Sequence, residues 1–217
     1  MRITKIENQQ KNPSRRNLYA DDNFLIGISA ETLIRFGIRT GDEIGEDKLK
    51  ALRATEELQG AKSVALRFLG RRQRTEKEIR DKLREKEFAD EEIAQTIEQL
   101  RELGYLNDAE FARSYIRHQN LLRPKGTLAL KQKLLLLGVK KDVIESALAE
   151  LSGETSQEEA AAQAARTFLK RANRTRDDPK KTKLKLAAFL SRRGFTWDVI
   201  AHVTKQLLRE NPDEEET

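Results

Sequence analysis

Residues 78–100, EIRDKLREKEFADEEIAQTIEQL, set a pattern of apolar side chains that the chain repeats twice. The second copy is ALKQKLLLLGVKKDVIESALAEL at 129–151, and the third is LKLAAFLSRRGFTWDVIAHVTKQL at 184–207. In each copy, four apolar residues are separated by five, five and seven positions: Leu83, Phe88, Ile93 and Leu100, then Leu134, Val139, Ile144 and Leu151, then Leu190, Phe195, Ile200 and Leu207. Identical spacing in three copies indicates a repeat protein.

A helical segment precedes each copy, as ALRFL at 65–69, EFARSYI at 110–116 and AARTFL at 164–169. Gly and Pro are sparse here, and the apolar residues recur at every third or fourth position, as in helices. We therefore predict a mainly α chain of tandem three-helix repeats at 61–106, 107–153 and 154–211, with an acidic tail at 212–217. Because such repeats stack on their neighbours, we expect an elongated, curved rod with a long binding surface.

The first part of the chain, 1–60, predicts a small separate N-terminal lobe. It contains ten Lys or Arg and ten Asp or Glu, so it is neutral. In NLYADDNFLIGI at 17–28, two runs of β-formers flank the turn sequence Asp-Asp-Asn at 21–23, which predicts a β-hairpin. Ser29 is placed to cap a short helix, and another helix is predicted from about Asp47 to Leu58.

Helix starts in the repeats carry a capping pair, which is a short hydrogen-bond acceptor three residues before a Glu. In such a pair each side chain accepts a hydrogen bond from the other residue's backbone N–H, which lacks a partner within the helix. The pairs are Thr75 with Glu78, Asn107 with Glu110, and Thr155 with Glu158. We predict a helix beginning at each of them.

Composition argues against catalysis and metal chemistry. With 37% hydrophobic and 36% charged residues, the 217-residue chain cannot build one thick core. It has no Cys, and its two imidazoles are His118, predicted to be exposed, and His202, predicted to be packed. The carboxylates form no recognisable catalytic pair. We predict that the chain binds no cofactor and no metal and is not an enzyme.

The N-terminal residues lack the apolar run of a signal peptide, and no stretch approaches the roughly 20 apolar residues of a membrane span. These features predict a cytoplasmic protein without membrane contact. The modest apolar surface expected of such a composition predicts a monomer.

Positive charge is concentrated in two stretches. Thirty-one residues between Glu110 and Asp142 contain eight bases and no acid, and the stretch from Pro179 to Trp197 contains six bases and no acid. Unpaired charge of this length repels itself, which favours a polyanionic partner. The predicted binding residues are Arg113, Arg117, Arg123, Lys125, Lys131, Lys133, Lys140, Lys141, Lys180, Lys181, Lys183, Lys185, Arg192 and Arg193. In contrast, the bases of 71–88 alternate with acids, which is typical of a solvated helix face.

Two further features each allow two interpretations. In RPKGTLALKQKL at 123–134 a new helix starts at Gly126, and its backbone N–H groups could hold a phosphate or carboxylate beside Arg123 and Lys125. A simple helix-to-helix turn explains the same spacing. The aromatic residues fit core packing better than base stacking. They are Phe68, Phe88, Tyr105, Phe111, Tyr115, Phe168, Phe189, Phe195 and Trp197.

Successive stretches of this chain resemble the RecX family, bacterial regulators of the RecA recombinase. The stretches are RRQRTEKEIRDKL at 71–83, LRELGYLNDAEFARSYIRH at 100–118 and RPKGTLALKQKLLLLGV at 123–139. The resemblance covers about 61–151 and, more loosely, the third repeat to about 209. The N-terminal lobe lies outside this signature, and Glu87 stands where the later repeats have Gly138 and Gly194.

The resemblance implies a regulator without catalytic activity of its own. RecX-like proteins bind RecA, and especially its filament on single-stranded DNA, where they limit filament growth, strand exchange, ATP hydrolysis and co-protease activity. On this interpretation the strongest candidates for filament contact are Arg113, Arg117, Arg123, Lys125, Lys131 and Lys133.

Two other functions fit the same residues. The basic stretches would also suit a protein that binds single-stranded nucleic acid directly, without a recombinase partner. A generic helical-repeat scaffold for acidic proteins is a further alternative.

Overall fold

The structure is a computed structural model, and it describes residues 1–10, 12–151, 156–172 and 179–209. The chain divides into two compact units. The first unit comprises Met1–Arg72 and Ile79–Tyr105, and the second comprises Gln73–Glu78 and Leu106–Thr217.

The first unit begins with an antiparallel sheet in the order β1-β2-β3. The strands are β1 (Ile3–Gln9), β2 (Asn12–Ala20) and β3 (Asn23–Ser29). The predicted hairpin is confirmed as β2 and β3, joined by a turn in which Asp21 and Asp22 have left-handed φ values of 48° and 61°. The strand β1 was not predicted.

Helix α1 (Ala30–Arg35) begins at Ser29, whose side chain accepts a hydrogen bond from the Thr32 N–H, as predicted. The following helix, α2 (Glu46–Leu69), is longer than the sequence indicated. The predicted end at Leu58 is wrong, because α2 continues through Gly60. A Cβ atom at Gly60 would lie 3.5 Å from the ring of Phe88, an ordinary van der Waals distance, so the packing of Phe88 does not itself require glycine here.

A buried carboxylate fastens α2 to the sheet. Glu56 is 8% exposed and accepts a hydrogen bond from the Ser29 N–H at 2.9 Å. It also pairs with Arg15 at 3.0 Å, and Arg15 in turn donates to the carbonyl oxygen of Gly27. Because a buried charge is tolerated only when it is paired and hydrogen-bonded, this network fixes the position of α2 on β2 and β3.

The rest of the described chain is helical, which confirms the predicted mainly α fold with three-helix repeats. The helices of the first repeat that follow α2 are α3 (Glu76–Glu85) and α4 (Asp90–Glu102). The later helices are α5 (Asp108–Leu122), α6 (Thr127–Leu136), α7 (Lys141–Leu151), α8 (Gln157–Ala172), α9 (Pro179–Arg192) and α10 (Trp197–Arg209).

Equivalent positions of the repeats are buried, as the spacing predicted. Leu83, Leu134 and Leu190 are fully buried. The residue five positions after each of them is Phe88, Val139 or Phe195, and it follows the turn between two helices. Its backbone N–H donates to the carbonyl oxygen of that Leu at 3.1–3.3 Å. The residue before it is left-handed in each repeat: Glu87 (φ 62°), Gly138 (φ 88°) and Gly194 (φ 81°).

The predicted capping pairs have different outcomes. Thr75 and Glu78 exchange both hydrogen bonds, and the Asn107 side chain accepts from the Glu110 N–H, so these two helix starts are confirmed. Thr155 lies outside the described residues. The exchange found at the start of α8 joins the next pair along, Ser156 and Glu159.

Candidate binding surface

The start of α6, where the sequence suggested an anion site, is occupied by the chain itself. The Gly126 N–H donates to the carbonyl oxygen of Arg193 at 2.9 Å, and the Leu128 N–H donates to that of Gly194 at 3.2 Å. Between them, the Thr127 N–H donates to Oε1 of Gln157 at 3.0 Å. Of the two interpretations of this segment, the helix-to-helix turn is therefore the one that fits, because the N–H donors that an anion would need are already used.

Gly126 lies against another turn of the backbone, which leaves no space for a side chain. A Cβ atom at Gly126 would lie 2.0 Å from the carbonyl oxygen of Gly194 and 2.2 Å from the nitrogen of Phe195. Such distances are far below van der Waals contact. The Lys125-Gly126 sequence thus serves the packing of the second repeat on the third.

Arg113, on α5, has acidic partners on two sides. Its guanidinium lies 3.0 Å from the Glu110 carboxylate and 3.4 Å from that of Glu150 on α7. The expectation that Arg113 is unpaired is wrong, because two acids that lie outside the stretch in sequence contact its guanidinium. Glu110 is three residues earlier on the same helix, and α7 packs against α5.

Lys131 and Lys141 share one carboxylate. The Lys131 Nζ lies 2.7 Å from Oε1 of Glu145, and the Lys141 Nζ lies 4.0 Å from the same oxygen. The hydrogen bond from Lys131, and then its charge, hold the pKa of Glu145 below its usual range. The prediction that these two lysines are unpaired is wrong as well.

The other bases of this stretch differ in their contacts. Arg117 is exposed on α5 and makes a contact within the protein. Within the described part of the chain, no carboxylate lies within 4.0 Å of the remaining four bases. Arg123, Lys133 and Lys140 are exposed, and Lys125 is half-buried.

The second basic stretch lies on α9 and the turn after it. Lys180, Lys181, Lys183, Lys185 and Arg192 are all exposed on this helix, which contains no acid. Lys180 and Lys185 each make a contact within the protein. The helix therefore exposes five cations and no acid.

Arg193, in the turn after α9, is held in place by two contacts. One guanidinium nitrogen donates to the carbonyl oxygen of Pro124 at 3.0 Å, and its Cζ lies 4.7 Å from the centre of the Phe189 ring. Burial lowers the pKa of Arg193, and the charges of Arg123 and Arg171 lower it further. The structure thus brings together Arg123 and Arg193 from the two predicted stretches, with Arg171 as a third cation.

Arg171 was missed by the sequence analysis, although the sequence contained a signal for it. The segment from Ala160 to Arg176 has five bases and no acid, and it forms a third acid-free stretch. Arg171 is exposed near the end of α8.

The aromatic and imidazole predictions are partly confirmed. Phe111 and Phe195 are buried in repeat cores, as predicted, whereas Tyr105 is 57% exposed and Trp197 is 72% exposed. His118 is exposed as expected, but His202, predicted to be packed, is exposed too.

No group of three or more His, Asp or Glu side chains in the described part of the chain could hold a metal ion. None of its helices is long and apolar enough to cross a bilayer.

Family models match the chain in four successive segments. The descriptions are "Regulatory protein RecX N-terminal domain" at 1–45, "RecX, first three-helix domain" at 61–100, "RecX, second three-helix domain" at 107–148 and "RecX, third three-helix domain" at 157–204. The N-terminal lobe, which lay outside the sequence resemblance, is thus matched as well.

Individual proteins match over almost the whole chain. "Regulatory protein RecX" of Clostridium botulinum (strain Eklund 17B / Type B) is 32% identical over 207 residues, covering 95% of this chain and 96% of the relative. "Regulatory protein RecX" of Bacillus subtilis (strain 168) is 32% identical over 214 residues, covering 99% of this chain and 80% of the relative.

Solved structures resemble the fold. The structure described as "Crystal structure of regulatory protein RecX" has a TM-score of 0.73 at 26% identity and covers 94% of this chain and 98% of its own. That of RecX from Lactobacillus salivarius has a TM-score of 0.63 at 26% identity, covering 71% and 99%.

Proposed function

Because this chain belongs to the RecX family of regulatory proteins, we propose that it binds the RecA recombinase and its filament on single-stranded DNA. In this role it limits filament extension, strand exchange, ATP hydrolysis and co-protease activity, and so regulates DNA repair and recombination. The protein acts by binding and catalyses no reaction. Its site of action is the cytoplasm, and it works as a monomer.

The observation that carries this proposal is the exposed, acid-free surface of α9 in a chain matched by RecX models in all its segments. A filament on DNA is a long polyanion, and a helix with several exposed cations is attracted to it over a Debye length of about 10 Å at 0.1 M salt. Several weak contacts made together raise the affinity well beyond that of any single contact.

The bases that support this function best are those without a carboxylate partner among the described residues. Lys133 and Lys140 in the second repeat belong to this group, as do Lys181, Lys183 and Arg192 in the third. The paired bases Arg113, Lys131 and Lys141 contribute less, because their charge is already balanced.

The direct test follows ATP turnover by RecA on single-stranded DNA while this protein is added. We expect turnover to fall as the protein is titrated, and the Lys133→Glu variant to require more protein for the same effect. Arg53→Glu is a matched control, since Arg53 is equally exposed but lies on α2 in the neutral lobe. Unchanged turnover with the unmodified protein would refute the proposal.

The alternative function is direct binding of single-stranded nucleic acid without a recombinase partner. Parallel titrations against naked DNA and against the filament separate the two. A regulator of the filament binds the filament more tightly, whereas a simple DNA-binding protein binds naked DNA at least as well.

A further inference from the structure

We propose that Arg123, Arg171 and Arg193 form a phosphate-binding site that contacts the backbone of single-stranded DNA directly. The inference deepens the proposed function and rests on it, since it names the part of the filament that these residues touch. The cluster combines side chains from the second and third repeats. The proposed site uses their guanidinium groups and no helix N-terminus.

Arg193 is the fixed member of the cluster. The hydrogen bond to Pro124 and the stacking on Phe189 hold its guanidinium in one orientation, so little side-chain entropy remains to be lost on binding. The backbone of Arg193 is held too, because its carbonyl oxygen accepts from the Gly126 N–H. A guanidinium carries more N–H donors than the one used here, so others remain for a ligand.

Arg123 and Arg171 are each linked to Arg193 through the residues that hold it. Arg123 directly precedes Pro124, the residue whose carbonyl oxygen holds Arg193. Arg171 lies one helical turn after Phe168, whose ring is 4.9 Å from that of Phe189, the ring on which Arg193 stacks. Burial lowers the pKa of Arg193 most, and the charges of Arg123 and Arg171 lower it further, which is consistent with this closeness.

Within the described ranges, no carboxylate lies within 4.0 Å of any of these three guanidinium groups. Like charges held together without a counter-charge lower stability, and a bound anion removes that repulsion. Forked guanidinium donors match the oxygens of a phosphate, which accepts charge-assisted hydrogen bonds from several arginines at once.

A nucleic-acid backbone fits this cluster better than an acidic protein does. Arg193 directly follows α9, which carries five exposed bases and no acid. A ligand with one phosphate after another can use the cluster and this helix together, and phosphate contacts from Arg and Lys dominate such binding.

The test measures binding of the full chain to a fluorescent oligothymidylate by anisotropy at several salt concentrations. Arg123→Gln and Arg171→Gln are the test variants, because both residues are exposed and neither holds the packing of the repeats. Arg166→Gln is the matched control, since Arg166 is equally exposed on the same helix, α8. We expect each test variant to bind about three- to tenfold more weakly and to lower the salt slope by about 0.7.

The outcomes separate this inference from the proposed function. Salt slopes equal to those of Arg166→Gln would overturn the inference, even if the unmodified protein still inhibits ATP turnover by RecA. If the slopes change as expected but RecA is unaffected by the protein, the phosphate site stands and the proposed function fails. A polyglutamate peptide that competes as well as oligothymidylate at equal charge would also overturn the inference, since the site would then favour acidic protein.

Discussion

The hydroxyl of Thr75 donates a hydrogen bond to the carbonyl oxygen of Leu137, which lies 62 residues later in the chain and 2.6 Å away. Thr75 caps α3, and Leu137 directly precedes the left-handed Gly138 in the turn after α6. Beside this bond, the Glu76 N–H donates to Oδ1 of Asp108 at 3.0 Å. We call this group of contacts the α3 joint.

The start of α6 repeats this arrangement. There the cap residue Gly126 donates through its backbone to Arg193, the residue before the left-handed Gly194, and the Thr127 N–H donates to Gln157. We call these contacts the α6 joint. At both joints, the start of the second helix of one repeat is held by two parts of the next repeat. One is the turn after that repeat's second helix, and the other is a side chain at the start of its first helix. The contacts of two neighbouring repeats are thus made by equivalent residues.

The hydroxyl of Thr75 is predicted to stabilise the α3 joint. Thr75→Val keeps the shape of the side chain but leaves the Leu137 carbonyl oxygen without this donor and removes the cap of α3. We expect the free energy of unfolding to fall by about 2–3 kcal/mol. Thr75→Ser keeps the hydroxyl and should lose less than about 1 kcal/mol, for one methyl group. Urea unfolding followed by circular dichroism measures both, and equal losses would contradict the importance of the hydrogen bond.

Gly126 is predicted to tolerate no side chain. Gly126→Ala places a Cβ atom 2.0 Å from the Gly194 carbonyl oxygen, so the α6 joint must open. We expect a loss of about 3 kcal/mol or more in the free energy of unfolding. Gly45→Ala is the matched control. Gly45 is also a helix cap with nearly the same φ, −78° against −71°, but has no atom within 4 Å of the added Cβ.

The control substitution loses only the difference between Gly and Ala at a helix cap, on the order of 1 kcal/mol or less. If Gly126→Ala costs no more than Gly45→Ala in the same unfolding experiment, the close approach of the two turns is not a constraint on the chain.

Glu87 is predicted to be a site where glycine stabilises the protein. It occupies the left-handed position with φ 62°, where the later repeats have Gly138 and Gly194, and a side chain there costs about 1–2 kcal/mol. Glu87→Gly should therefore raise the free energy of unfolding by about 0.5–1 kcal/mol, since the more flexible unfolded chain offsets part of the gain. Lys86→Gly, at the preceding residue with negative φ, should instead lower it.

Features set by local spacing could be predicted from the sequence. The equivalence of Leu83, Leu134 and Leu190 follows from the distance between apolar residues within one repeat, and all three are fully buried. The hairpin turn and the Thr75 and Asn107 caps also depend on residues only a few positions apart.

Features set by distant residues could not be predicted in this way. The start of α6 suggested an anion site because its occupants, Gln157 and Arg193, lie 30 or more residues later in the chain. Glu145, which neutralises Lys131, is nearer at 14 residues later, but it lies on the next helix and so outside the local spacing of α6. The end of α2 was placed too early because a glycine usually weakens a helix, whereas α2 continues through Gly60 to Leu69.

The ion pair of Lys131 and Glu145 predicts a change in acid titration. In the folded protein the hydrogen bond from Lys131 lowers the pKa of Glu145 from its ordinary value of 4.5. The folded state therefore binds fewer protons than the unfolded state near this pH. The stability from this pair is present above the unfolded pKa and is lost as the pH falls through the folded pKa.

Lys131→Met should raise the pKa of Glu145 towards 4.5, because Lys141 alone remains near it at 4.0 Å. NMR titration of the Glu145 side-chain carboxyl carbon measures this shift. Lys133→Met removes a neighbouring charge that has no part in the pair and should leave the pKa of Glu145 unchanged. Identical titrations in the two variants would show that Lys131 does not hold the carboxylate.

Glu145 is also predicted to limit the affinity of the protein for a polyanion. Its carboxylate balances Lys131 and Lys141 at once, so Glu145→Gln releases two cations of the second repeat without adding a positive side chain. If these bases face the RecA filament, affinity should rise by about threefold at low salt, and the gain should shrink as salt screens the charges. Glu158→Gln changes the net charge equally in the same unit, at an exposed residue of α8, and serves as the control. A gain of the same size in both variants would reflect net charge alone, and it would place the bases of α6 and α7 outside the contact with the filament.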